Sequence, residues 1–180
     1  MKKLIIAVGT ALIGIVVNAA SFSWSTTGSV YSPADSTVAL NGFTAYLLST
    51  STITQSGLVA ALRDGGSISD YSVLSTYTAA SDSSKVTASG AGFEATGTQS
   101  AFFAIIRDDY VYISKVVTKD ALDVGTANLA FASQSTSSAT VFASTAEFST
   151  PGWYQTVPEP SSGLLMLLGM AGLALRRRRA

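Results

Sequence analysis

The stretch AFFAIIRDDYVYISKVV, residues 101–117, indicates how the centre of the chain folds. Two apolar runs flank Asp108-Asp109, as in a β-hairpin. A two-residue turn at these aspartates sets the cross-strand pairs as Ile106 with Val111, Ala104 with Ile113 and Phe102 with Lys115. Asp-Asp is a poorer two-residue turn than Asn-Gly, so a four-residue loop remains an alternative. Both faces of the hairpin are largely apolar, which predicts a central hairpin covered on both sides.

Further strands and one helix are predicted on either side of this hairpin. The helix covers residues 56–63, with Thr54 or Ser56 as its cap and Gly65-Gly66 as its stop, and Leu58 and Leu62 should pack on the sheet. The strand candidates are residues 22–25, 43–49, 71–77, 85–88, 126–132 and 139–143. Short strands separated by turn signals are typical of a mainly β fold, here a single β-sandwich or jelly-roll-like domain with one short helix.

Serine and threonine make up 44 of the 137 residues from Ser21 to Val157. Such enrichment fits either a disordered stalk or a β domain with hydroxyl side chains on its surface. The stalk would need many prolines, and Pro33 and Pro151 are the only ones before the C-terminal tail. The β domain is therefore the better interpretation, and it is expected to span residues 21–150.

The N-terminus has the three parts of a secretory signal peptide, predicted over residues 1–20. Lys2 and Lys3 precede an uncharged apolar run of 14 residues, Leu4 to Val17, and small residues follow. Cleavage by signal peptidase is expected after Ala19, with Ala20 nearly as good. The run would span only about 21 Å as a helix, which disfavours an uncleaved anchor.

The charge balance excludes some classes of partner. Five basic and eleven acidic residues lie between Ser21 and Glu159, so this part carries a net charge of −6 although the whole chain is neutral. An acidic body has no electrostatic footprint for nucleic acid. The chain has no cysteine and no histidine, which removes disulfides, the commonest general base and the commonest metal ligand. We predict no cofactor, no metal and no catalytic residue.

Three constellations in the body could still carry chemistry. A glycosidase needs only two carboxylates, and the candidates are Asp64, Asp70, Glu94, Asp108 and Asp109. A Ca²⁺ site could combine Asp108 and Asp109 with Asp120 and Asp123, but the spacing is not that of a known calcium loop and a solvated turn is the preferred interpretation. A sugar-stacking surface could use aromatic side chains, with Tyr110 and Tyr112 as the candidates from a set that includes Tyr71, Tyr77, Trp24 and Trp153.

The C-terminal tail follows a linker predicted over residues 151–157. Its parts are the motif Val157-Pro158-Glu159-Pro160, an apolar run Ser161–Leu175 and the arginines Arg176, Arg177, Arg178 and Arg179. The run would be about 22 Å long as a transmembrane helix, a marginal span of a bilayer core. The arginines would remain cytoplasmic and place the body outside. The two prolines hold the backbone extended, which suits the presentation of a cleavage site.

In their order, spacing and terminal position these features resemble the PEP-CTERM sorting signal of bacteria, over residues 158–180. The resemblance implies processing by an exosortase, an integral membrane peptidase or transpeptidase, and an association with exopolysaccharide and biofilm. It implies an inner-membrane intermediate with the body in the periplasm, followed by release to the cell surface or the extracellular matrix. It covers the tail alone and implies nothing about the fold of the body.

Two functions for the body follow from the sequence. The first is a non-catalytic cell-surface or matrix protein, with exopolysaccharide as a partner. The second is an exported polysaccharide-active enzyme that uses a pair of carboxylates. The missing histidine, the acidic surface and the sorting signal favour the first.

Overall fold

The computed structural model describes residues 19–35, 37–132, 141–142, 148 and 150–156 of the chain. Within them lie one α-helix, α1 (Gln55–Arg63), and two 3-10 turns, Ile68–Asp70 and Ala88–Gly90. The strands are β1 (Ala20–Thr26), β2 (Thr44–Ser49), β3 (Val73–Thr78), β4 (Gly92–Ala95), β5 (Gln99–Arg107), β6 (Tyr110–Ile113), β7 (Val117–Lys119), β8 (Thr126–Phe131), β9 (Val141–Phe142) and β10 (Gly152–Gln155).

The strands form two sheets. A small sheet has the order β4-β1-β8, and a large sheet has the order β3-β2-β5-β6-β10-β9, with β7 also pairing with β5. The mainly β fold with two sheets and one short helix is confirmed. The arrangement departs from a jelly roll, whose strands are antiparallel, because β1 pairs with β8 and β10 pairs with β9 in parallel.

The large sheet is covered on both faces, as the apolar hairpin predicts. One face packs against the small sheet through a core built around Phe22, Trp24, Phe103, Tyr112 and Trp153. The other face packs against α1 and the first 3-10 turn through residues that include Leu58, Phe102, Val111, Ile113 and Tyr154. The odd and even residues of β5 therefore enter two different cores, which is why neither face could be polar.

The predicted register of the central hairpin is confirmed up to Ile113. Ile106 pairs with Val111 and Ala104 with Ile113, across a two-residue turn in which Asp108 has a φ of 51°. Aspartate tolerates this left-handed conformation better than most residues.

The predicted pairing of Phe102 with Lys115 is wrong because the second strand contains an irregularity. Ser114 exchanges two hydrogen bonds with the backbone of Phe103, one through its side chain and one through its amide. The pairing then resumes one residue later, with Val117 opposite Ala101. This extra residue moves Lys115 out of register, as in a β-bulge.

The helix begins at Gln55, one residue before the predicted start, and it ends at Arg63 as predicted. Thr54 is the cap, and its hydroxyl accepts a hydrogen bond of 3.1 Å from the amide of Gly57. Leu58 is buried and Leu62 partly buried against the large sheet, as predicted. At nine residues the helix depends on this packing for its stability.

Two local predictions are corrected. Residues 85–88 do not form a strand, because Val86 instead bonds to the backbone and hydroxyl of Thr26 before the 3-10 turn Ala88–Gly90. Gly92–Ala95, which is not among the predicted strands, forms β4 against β1. This strand has only one partner in its sheet and little apolar pattern of its own, so the sequence carries no strong signal for it.

The linker predicted over residues 151–157 is also wrong in its central part. Gly152–Gln155 is strand β10, which lies between β6 and β9 in the large sheet. Trp153 and Tyr154 are fully buried on its two faces. Residues 152–155 therefore belong to the body, because this strand contributes to both cores.

Several predictions lie outside the described residues. They are the signal peptide up to Asn18, the motif Val157–Pro160, the apolar run Ser161–Leu175 and the four arginines. Of the predicted strand 139–143, the described part is β9. In the ranges that the structure describes, no helix has the length and the apolar character needed to cross a membrane.

Candidate functional site

The two candidate glycan-stacking tyrosines have different environments. Tyr112 is fully buried between the sheets, where its ring stacks on Phe103 and meets Trp153 edge to face. It therefore has no ring face available to a sugar, and its proposed stacking role is wrong. Tyr110 is half-buried beside the hairpin turn, which leaves part of its ring accessible. The sequence could not separate the two because both lie on the same face of an apolar hairpin.

The other aromatic candidates also serve the core. Trp24 is fully buried against Tyr77, Phe103 and Phe131. The Trp153 indole donates a hydrogen bond of 2.7 Å to the carbonyl of Tyr31, which ties β10 to the loop after β1. These contacts are cross-strand and inter-sheet packing rather than a stacking platform.

The candidate carboxylates are exposed, and apart from the adjacent Asp108 and Asp109 they lie on separate elements. Asp64 is the C-cap of α1, and Glu94 is on the outward face of β4. The Asp70 carboxylate accepts a hydrogen bond of 2.8 Å from the Ser67 amide, in a capping box of the 3-10 turn. Asp108 and Asp109 form the hairpin turn. No buried cleft surrounds any of them, because each lies at an exposed turn, cap or strand surface.

The four aspartates of the considered Ca²⁺ site do not come together. Asp108 and Asp109 follow the last residue of β5, whereas Asp120 and Asp123 follow Lys119, which pairs with Gln99 at the first residue of β5. The two pairs thus lie at opposite ends of a nine-residue strand, about 27 Å apart. In the described ranges, no group of three or more acidic, histidine or cysteine side chains could hold a metal ion.

A hydroxyl-rich surface covers the outer face of the small sheet. Ser21, Ser23 and Ser25 of β1 alternate with buried residues and lie beside Thr126 and Asn128 of β8. The Asn128 amide bridges the hydroxyls of Ser23 and Ser25, at 3.2 and 3.3 Å. This face is polar and carries the single carboxylate of Glu94 from β4. It presents hydrogen-bond donors and acceptors on a regular strand spacing.

The end of β10 is held by contacts that the sequence did not predict. Gln155 pairs with Tyr110 next to the hairpin turn. The Thr156 amide continues the ladder with a hydrogen bond of 2.7 Å to the carbonyl of Asp109. The Arg63 guanidinium, from the last turn of α1, donates from Nε to the carbonyl of Gln155 at 2.8 Å. Three elements thus fix the backbone immediately before the predicted motif at Val157–Pro160.

Tyr154, the residue before Gln155 on β10, is also held in place by its neighbours. Its ring packs on Phe148 with the ring centroids 4.6 Å apart, and it belongs to the core under α1. Burial raises the pKa of the Tyr154 hydroxyl to about 12. The strand that leads into the tail is therefore an internal strand of the domain.

The predicted N-terminal cleavage site and the C-terminal tail leave from opposite ends of the sandwich. Ala20 pairs with Ala95, shortly before β5 begins at Gln99. Gln155 lies beside Tyr110, just after β5 finishes at Arg107. The loop after β7 joins the first of these ends, through a hydrogen bond of 3.2 Å from the Ala121 amide to the Gly97 carbonyl.

The comparison with family models gives a match at the C-terminal tail. The model of the PEP-CTERM protein-sorting motif matches residues 156–179. The chain thus carries a PEP-CTERM motif at its C-terminal tail, as the sequence predicts. This motif implies an exported protein that passes through a membrane-anchored intermediate and is processed by an exosortase. Comparisons with curated proteins and with solved structures give no significant match to the chain.

Proposed function

We propose that the body is a non-catalytic component of the cell surface or extracellular matrix that associates with exopolysaccharide. An exosortase releases it from the inner membrane, and the hydroxyl-rich outer face of the small sheet contacts the polysaccharide. The body lies in the periplasm until then. The predicted signal peptide initiates export.

The observation that carries this proposal is the combination of the sorting motif with the face of Ser21, Ser23, Ser25, Thr126 and Asn128. Hydroxyl and amide groups exchange hydrogen bonds with sugar hydroxyls, and the regular spacing of a β-sheet repeats such contacts along a polymer. Each contact competes with water and contributes little by itself. Association would therefore depend on many repeated contacts, which suits a matrix component in contact with a long chain.

The experiment measures binding and turnover together. Mature protein from the native host is mixed with exopolysaccharide from the same host, and both the bound fraction and newly formed reducing ends are measured. Binding without new reducing ends is the expected result. Asn128→Lys should weaken binding several-fold, because it disrupts the serine-asparagine network and places a long cation on the face.

Thr76→Lys is the matched control, since Thr76 is an exposed residue on β3 of the other sheet. Equal loss in both variants would argue for a general charge effect and against the face. New reducing ends that disappear on replacing Glu94 or Asp109 by the amide would favour the carboxylate enzyme instead.

A further inference from the structure

The chain segment between the body and the sorting motif is short, and the body holds its first end in place. Backbone pairing with Tyr110 and the hydrogen bonds from Thr156 to Asp109 and from Arg63 to Gln155 hold the chain to residue 156. Pro158 is two residues further and Pro160 four. Four extended residues reach at most about 14 Å.

This reach is small compared with the body itself. A domain of this size has a radius of gyration of about 14 Å, so the tether is no longer than the distance from the centre of the body to its periphery. A membrane-embedded peptidase that holds Pro158–Pro160 in its active site must therefore approach the end of the sandwich from which β10 leaves. The other end, with Ala20 and Asp123, lies about 27 Å away along β5.

We propose that the tip of the β5–β6 hairpin, together with the last turn of α1, docks on the exosortase while it processes the tail. The docking surface consists of Arg63, Arg107, Asp108, Asp109 and Tyr110. This inference rests on the exosortase processing that the proposed function includes. It adds that the exosortase contacts the folded body as well as the tail, at the end of the body from which the tail leaves.

The chemistry of this surface favours a protein partner over lipid. The side chains of Arg107 and Asp108 are 52% and 84% exposed, and their ion pair of 3.9 Å is weak at such exposure. The two arginines and two aspartates of this surface cancel in charge, so it lacks the net positive charge by which anionic headgroups attract basic segments. Mixed charges beside the half-buried ring of Tyr110 are suited to the polar rim and aromatic contacts of a protein interface.

Site-specific crosslinking in cells tests the docking surface. The full chain carries the photoreactive residue p-benzoylphenylalanine at Asp109, and it is expressed with a catalytically inactive exosortase that retains the substrate. Replacing the Asp109 side chain leaves its carbonyl bond to Thr156 in place. The control carries the same residue at Asp123, an exposed aspartate at the opposite end of the sandwich. Resistance of both bodies to protease confirms that they fold.

The expected result is an exosortase adduct from Asp109 that is at least five-fold stronger than from Asp123. Insertion of eight Gly/Ser residues between Thr156 and Val157 should reduce that adduct several-fold, because it adds about 27 Å of reach. Equal adducts from the two ends, a phospholipid adduct from Asp109, or an unchanged adduct in the insertion variant would each overturn the proposal.

A parallel measurement distinguishes a failure of the docking surface from a failure of the exosortase processing on which it rests. The wild-type chain is expressed with active exosortase, and the mass of the product is measured. An unprocessed wild-type chain would contradict exosortase processing itself. A processed wild-type chain whose Asp109 forms no exosortase adduct would contradict the docking surface alone.

Discussion

The ring of Trp153 meets the ring of Tyr112 edge to face, with centroids 5.4 Å apart and an interplanar angle of 71°. The two residues lie directly opposite each other on β10 and β6. This pair joins the last strand before the sorting motif to the central hairpin. The body thus depends on residues that lie only a few positions before the sorting motif.

Trp153→Ala should destabilise the body by about 3–5 kcal/mol, because it removes a fully buried indole and leaves a cavity between the sheets. Urea unfolding followed by circular dichroism measures the free energy of unfolding. The control is Gln155→Ala on the same strand, where a half-buried side chain is lost and the backbone bonds remain. A loss below about 1 kcal/mol for Trp153→Ala would contradict an internal β10.

The two isoleucines of the hairpin should differ in their contributions. Ile113→Ala should cost about 2–5 kcal/mol because Ile113 is buried under α1. Ile106→Ala should cost only about 1 kcal/mol because Ile106 is 37% exposed and less apolar area is lost. Equal losses in urea unfolding would show that the face under α1 is not closed over Ile113.

Removing the N-cap of α1 should lower the free energy of unfolding by less than the substitutions of buried residues do. Thr54→Ala should cost about 1 kcal/mol because the Gly57 amide loses its hydroxyl acceptor. Ser56→Ala, which changes a neighbouring hydroxyl but keeps the cap, should cost less than half as much. Thermal unfolding of the two variants compares them. A larger loss of stability for Ser56→Ala than for Thr54→Ala would show that Thr54 is not the cap.

Alkaline pH should weaken the body through Tyr154. Its pKa is about 12 in the folded state because the hydroxyl is buried, against 10.0 ordinarily. Between these values the unfolded chain releases a proton that the folded chain retains, so stability is full below pH 10 and falls as the pH rises towards 12. Tyr154→Phe should show a shallower decrease in the free energy of unfolding over this window. Parallel pH curves for the two proteins would rule out this contribution.

Processing should remove both ends of the chain. Intact-mass analysis of protein from the native host should show a start at Ala20 or Ser21 and an end between Pro158 and Ser162. Both ends leave β1 and β10 whole apart from the first residue of β1. A mature protein that retains Arg176–Arg179 would contradict exosortase processing and support a plain tail anchor.

The sequence predicts best what depends on neighbouring residues. The register of Ile106 with Val111 follows from a two-residue turn, and the cap at Thr54 follows from a local pattern. The PEP-CTERM motif is also contiguous, which is why its prediction is confirmed.

Features that depend on distant partners were not predictable in the same way. The strand β10 has only four residues and begins at the glycine of the Pro151-Gly152 turn signal, and its partner β6 lies about forty residues earlier. The parallel pairing of β1 with β8 joins segments about a hundred residues apart. The burial of Tyr112 depends on which layer covers its face, and an apolar hairpin gives no local signal for that.

The bonds on both sides of β10 give the body a direction of mechanical strength. If the exosortase attaches the processed end to a surface or a polymer, tension enters the fold at Thr156. That tension acts along β10, whose hydrogen bonds to its antiparallel partner β6 lie across the strand. The bonds then carry the load together in shear instead of opening one after another, so the strand that ends in the tail is also the strand best placed to bear a pull.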